Sequence, residues 1–198
     1  MGRPAEDAEA FRTLMSAFPT GVAVVTSLDD GAGPRGATCS SLCSVTLSPP
    51  TLLVCLTSTS STLAAIRERG GFAVNLLHSG ARDTARTFAT PVADRFATVP
   101  WEPFGSRGLP WLVRDAFAVA ECRADELTVV GSHAVLLGAV LGSRFTEGVP
   151  LLYGLHQFVE WQPEYEDGHF TPEPAAPSTP SVSATASARG PGSPGCPR

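Results

Sequence analysis

The sequence contains no lysine. Its 14 basic residues are all arginine, which reads as a base-composition habit of the source. Charge of either sign is scarce, at 17% of 198 residues. So few charges imply a surface that is small or partly covered, and the favoured cover is a second copy of the chain. The net charge of −5 argues against nucleic acid as a partner, which calls for a basic patch. No apolar run reaches the ~18 residues that a membrane span needs. The opening MGRPAEDAEAF lacks the apolar core of a secretory signal. The expectation is a soluble, cytoplasmic protein. CxxC pairs are also missing. The five cysteines, Cys39, Cys43, Cys55, Cys122 and Cys196, fit free, mostly buried thiols better than a disulfide framework. Cys39 and Cys43 lie on one expected strand face, but no second pair completes a zinc site, and no metal is expected. GxSxG and HExxH are absent, so nothing points to a serine hydrolase or a zincin. Nicotinamide use by another fold stays open.

What is present suffices for one domain with a sizeable core: 43% of the residues are hydrophobic. Residues 1–165 form the expected domain. Residues 166–198 are rich in Pro, Ser, Ala and Gly and are expected to be a disordered tail. Helical spacing of Ala8, Phe11, Leu14, Met15 and Phe18 predicts a helix over 5–17, ended by Pro19. Strands are expected at 21–27, 37–47, 51–57 and 72–77, with Pro49-Pro50 closing the second. The third is apolar throughout and expected to be buried on both faces. A helix is expected at 61–71, capped by Ser60 or Ser61 and ended by Gly70. Another is expected at 79–89. Residues 91–112 look irregular. Long strands follow at 116–123 and 128–141, the latter with a break at Gly131-Ser132, and one or two short strands fall within 150–161. About six strands joined by short turns point to a mainly β fold with flanking helices, a small antiparallel barrel.

Four places can carry chemistry. GATCSSLCSVT at 36–46 sets Thr38, Ser40, Ser41, Ser44 and Thr46 among small residues. A flat ligand can approach such a strand, and its hydroxyl and N–H groups can bond a polar ring edge. The same residues fit an ordinary strand with a polar outer face. TSTSST at 57–62 joins a strand to a helix start, where unpaired N–H groups and Ser or Thr hydroxyls suit a phosphate. Plain capping explains it equally well. Arg95-Phe96 pairs a cation with an aromatic, the makings of a phosphate and ring contact, or merely surface charge beside core. His133 stands in the apolar run VVGSHAVLLGAV, where it can donate or accept a hydrogen bond near neutral pH. A backbone group could equally satisfy it. His78, His156 and His169 are scattered.

Taken in this order, the four segments resemble the short-chain flavin reductase family with the FMN-binding split-barrel fold. FPTGVAVVT at 18–26, FAVNLL at 72–77, DRFA at 94–97 and PLLYG at 150–154 are similar too, so the likeness runs from about Phe11 to Trp161. The resemblance implies a split antiparallel β-barrel and a homodimer with flavin near the interface. It implies FAD or FMN as an exchanging flavin, and NADH or NADPH as donor. NADH is preferred, because the sequence shows no obvious basic cluster for a 2′-phosphate. It also implies a separate flavin-dependent monooxygenase that receives the reduced flavin. By resemblance Thr38, Cys39, Ser40 and Ser41 edge the isoalloxazine, Thr57, Ser60 and Thr62 form the phosphate corner, and Arg95 and Phe96 complete the pocket. His133 matches the His of the family's Gly-Asp-His motif, here Gly131-Ser132-His133, and is the expected catalytic residue beside the nicotinamide. Tyr153 lies near the same ring. The alternatives are a flavoprotein oxidase with tightly held flavin, a non-enzymatic flavin carrier, and a partner-binding module.

Overall fold

The computed structural model describes residues 4–90 and 94–162. The expected tail at 166–198, with Cys196, lies outside the described residues, as do 91–93 and His169. Among the described residues three helices and twelve strands follow in order. They are α1 (Pro4–Ser16), β1 (Thr20–Gly21), β2 (Ala23–Leu28), β3 (Pro34–Cys39), β4 (Leu42–Leu47), β5 (Pro50–Thr57), α2 (Ser61–Arg69), β6 (Gly71–Leu77), α3 (Arg82–Ala89), β7 (Glu102–Phe104), β8 (Leu109–Trp111), β9 (Ala116–Val130), β10 (His133–Phe145), β11 (Leu151–Gly154) and β12 (Gln157–Glu160). Seven strands make one antiparallel sheet in the order β3-β2-β6-β9-β10-β5-β4. β1, β11 and β12 make a second sheet, and β7 and β8 a hairpin. The protein is mainly antiparallel β with few helices. Among the described residues no helix is long and apolar enough to cross a membrane.

The core follows the strand alternation. On β2, Ala23 and Val25 face one cluster with Leu63 and Ile66 of α2 and Phe72 and Val74 of β6. Val24 faces the other, with Ala85 and Phe88 of α3 and Leu112. Successive side chains of a strand point to opposite faces, so one run of apolar residues serves two cores. α2 starts at Ser60, whose hydroxyl accepts the Thr62 N–H, and ends at Gly70 with φ of 65°. Glycine takes that left-handed conformation at no steric cost, as the sequence led us to expect.

Several expectations need correction. The strand read at 37–47 is two strands. β3 ends at Cys39 and pairs with β2, while β4 starts at Leu42 and pairs with β5. Cys39 and Cys43 therefore share no strand face. Cys39 is buried, whereas Cys43 is exposed and so is no buried thiol. Pro50 does not close a strand but opens β5. That strand is not buried on both faces: Val54 and Leu56 are buried, while Leu52, Leu53 and Cys55 stay half-exposed beside the edge strand β4. The Gly131-Ser132 break is the turn of a long β9–β10 hairpin. His133 opens β10 and is exposed rather than held within an apolar strand. α3 begins at Arg82, three residues later than expected, and the stretch read as irregular holds β7 and β8. The apolar face of α1 exists, yet Phe11 and Phe18 remain 62% and 63% exposed.

Candidate active site

The turn at Ser40-Ser41 leaves the sheet between β3 and β4, and the Ser41 side chain folds back on β5. Ser41 Oγ donates to the Cys55 carbonyl at 3.2 Å. The Cys39 thiol reaches the same carbonyl at 3.7 Å. Burial pushes that thiol's pKa up, partly offset by Ser41, which favours the protonated form. The turn after β5 is tied to the hairpin tip: Ser58 donates from both its N–H and its hydroxyl to the Ser132 carbonyl, at 2.9 and 3.0 Å. That tie, with the register pairing of His133 and Thr57, sets the histidine beside the β5 end. Ser132 Oγ lies 3.0 Å from His133 Nδ1.

These segments enclose two adjoining hollows. The larger is a cavity of about 810 Å³ lined by Thr38, Ser40, Thr57, Thr59, Ser60, Ser61, Arg86, Arg95, Tyr153 and Phe158, among others. The smaller, about 210 Å³, shares Thr38, Ser40, Thr57 and Ser60 and adds Cys39, Ser41 and His133. The sequence-derived candidates Thr38, Cys39, Ser40, Ser41, Thr57, Ser60, Arg95, Tyr153 and His133 are thus brought together. Two stand apart. Thr62 is fully buried with its hydroxyl unpartnered and lines neither hollow. Its N–H is already taken by Ser60. Phe96 packs edge-on against Phe88 at 4.9 Å and Trp101 at 6.3 Å and supports the wall from behind.

The polar groups of the larger cavity are not equally free. Thr38 Oγ1 donates to the Ala85 carbonyl at 2.6 Å, which fastens α3 to β3. Arg95 donates to Thr90 O from Nε at 3.0 Å and Nη2 at 2.6 Å, and to Gly36 O from Nη1 at 2.6 Å. It is first a brace for the loop after α3. A side chain at Gly36 would collide with Phe88, 2.6 Å from the position of an added Cβ, so glycine is what lets this wall close. Sequence reasoning missed Arg86 and Phe158. Arg86 belongs to no motif. Its place on the wall follows only from how α3 docks on β3.

The donor set suits a flavin. The volume is that of a small-molecule site, with one aromatic side, several hydroxyl donors and two guanidinium groups. Among the described residues no carboxylate lines either hollow, and no cluster of metal-ligating side chains exists.

Comparison with known proteins agrees with this geometry. Residues 15–162 match the model of the flavin reductase like domain. The chain belongs to that flavin reductase-like family. It is 52% identical over 153 residues to a flavin reductase (NADPH) of Lentzea aerocolonigenes, covering 77% of this chain and 89% of the relative. It is 34% identical over 161 residues to the reductase subunit of a flavin-dependent monooxygenase of Rhodococcus jostii, covering 80% of each. Among solved structures it is similar to an NADH:FAD oxidoreductase of Streptomyces globisporus, solved with NAD and FAD fragments. There the TM-score is 0.75 at 32% identity, over 83% of this chain and 98% of that one. In this flavin reductase-like chain the family match ends at residue 162, where the described residues end too.

Proposed function

We propose that this chain is an NAD(P)H:flavin oxidoreductase that reduces exchanging FAD or FMN and supplies it to a separate monooxygenase. The observation that carries the reading is the hydroxyl-rich, carboxylate-free cavity of about 810 Å³ between β3, β5 and α3, in a chain of this family. The bound flavin supplies the ring that accepts two electrons from the nicotinamide. The protein's work is positioning and shielding. Thr38, Cys39, Ser40 and Ser41 edge the ring. Thr57, Ser60 and the start of α2 form the phosphate corner, where unpaired N–H groups favour an anion. Tyr153, at 5.1 Å from Phe158 between ring centroids, gives an aromatic wall near the nicotinamide. His133 orients the nicotinamide or moves a proton beside it. The preference for NADH rested on the want of a basic cluster. Arg86 and Arg95 supply one, and the relatives are named for either donor, so both nicotinamides belong in the reading.

The sheet is proposed to curl into a split barrel, closed where the Cys39–Ser41 turn meets β5. The working form is proposed to be a homodimer. In its support, Leu14 of α1 is 66% exposed and Leu47 of the edge strand β4 is 86% exposed, apolar surface that a second copy would cover.

The deciding experiment is steady-state oxidation of NADH and of NADPH with FMN, FAD and riboflavin in turn. Turnover with added flavin is expected, and its absence with every pair rejects the reading. In the same assay His133→Ala is expected to lower the rate. A variant that matches wild type at every pH removes the role given to His133.

A further inference from the structure

The cavity wall carries two guanidinium groups in unlike circumstances. Three N–H donors of Arg95 are committed to the carbonyls of Thr90 and Gly36. Arg86 has no such commitment. Among the described residues its one ionic partner is Asp83 at 3.5 Å, and the two side chains are 67% and 97% exposed. An exposed pair at that distance is worth little and is readily exchanged. The Arg86 guanidinium carbon lies 5.8 Å from the centre of the Phe158 ring. The ring holds the cation at the cavity mouth without using up its hydrogen bonds.

Apart from the loose Asp83 pair, the surroundings do little to offset that charge. The chain as a whole is acidic, at −5, yet no Asp or Glu lines the cavity among the described residues. Ser60 and Ser61 on the same wall belong to the start of α2, whose first N–H groups add partial positive charge. A guanidinium with free donors, steadied by an aromatic ring and facing a cavity without carboxylates, is built for a phosphate.

We propose that Arg86 is the phosphate-recognising residue of this cavity and makes it favour phosphorylated cofactors over unphosphorylated ones. The proposal rests on the flavin reductase reading above. Two ligands can bring the phosphate. FMN and FAD carry one that riboflavin lacks, and NADPH carries one that NADH lacks.

The test uses the full chain as wild type, Arg86→Gln and Arg86→Lys. Flavin fluorescence titrations without nicotinamide give affinities for FMN and riboflavin. Steady-state assays give kcat/KM for NADPH and NADH. In Arg86→Gln the FMN-to-riboflavin affinity ratio is expected to fall about tenfold, with partial recovery in Arg86→Lys. Should the nicotinamide bring the phosphate, that ratio holds and the NADPH-to-NADH ratio falls instead. Either result supports the proposal. Both ratios unmoved, or an equal loss for all four ligands, overturns it, since packing alone would then explain Arg86. The titrations need no turnover. A wild-type protein that binds flavin but reduces none would sink the proposed function and leave Arg86 to be judged on the binding ratio.

Discussion

Around Asn75 and around the cavity, the same kinds of polar side chain are used to opposite ends. Asn75, fully buried on β6, donates to Val24 O, Thr26 Oγ1 and Pro110 O, and accepts the Leu112 N–H at 2.9 Å. Nearby, buried Glu121 accepts from the N–H groups of Ser106 and Arg107 and from the Ser106 hydroxyl. Trp111 Nε1, on the same segment, goes without a partner. In this region hydrogen bonds are spent inside the protein and fix the β7–β8 segment to the sheet. At the cavity, Ser60 and Arg86 keep donors facing open space. Buried polar groups that are satisfied make structure; polar groups left facing a hollow make a site. Arg95 sits between the two regions in place and in use.

That contrast can be broken or sharpened. The largest effect is expected at Asn75. Asn75→Ala orphans the buried Leu112 N–H and takes one of two donors from the Pro110 carbonyl, and should cost about 3 kcal/mol in urea unfolding. A loss below about 1 kcal/mol would erase the distinction drawn here. Arg95→Ala should cost about 1 kcal/mol of stability, since its bonds brace a partly exposed loop. Its FMN-to-riboflavin ratio should change less than that of Arg86→Gln. The reverse order would exchange the roles of the two arginines. The smallest effect is expected at Asp29, just after β2. The Gly33 N–H does most to hold its carboxyl below the usual range; burial opposes it, and Arg35 at 2.6 Å adds to the lowering. A lowered pKa stabilises the fold above the ordinary carboxylate pKa, and that help fades as pH falls through the lowered value. Asp29→Asn should therefore narrow the difference in stability between neutral and acid pH. An unchanged acid unfolding curve would dismiss it.

Legibility in the sequence followed the range of the interactions. α2 was readable from both ends because its signals are local: a serine cap and a left-handed glycine. The apolar runs of β2 and β6 were readable because their period is set by neighbours in the chain. The split at Ser40-Ser41 was not, because two serines carry no turn signal and only the different partners of β3 and β4 separate them. The β11–β12 turn was hidden for a like reason. Leu155 and His156 take positive φ of 49° and 60°, where glycine or asparagine is the usual mark. His133 was singled out but given the wrong surroundings, since Gly131-Ser132 reverses the chain instead of bending it. The hydroxyl-bearing segments were legible as composition. Arg86 was not, because a single arginine on a short helix looks the same whether it meets solvent or a ligand.

The β9–β10 hairpin has a consequence for how the chain is made. It lies in the middle of the seven-stranded sheet, with β6 on one side and β5 on the other. Until residues 116–145 emerge from the ribosome, the earlier strands exist as two unconnected fragments, β3-β2-β6 and β5-β4, each with an open edge. Emergence proceeds at ~5–20 residues per second, so these edges stay bare for some seconds of every synthesis. The last-made two strands of the sheet are the template on which the five earlier ones settle, and the window before they arrive is when a nascent chain is most exposed to aggregation or most in need of a chaperone.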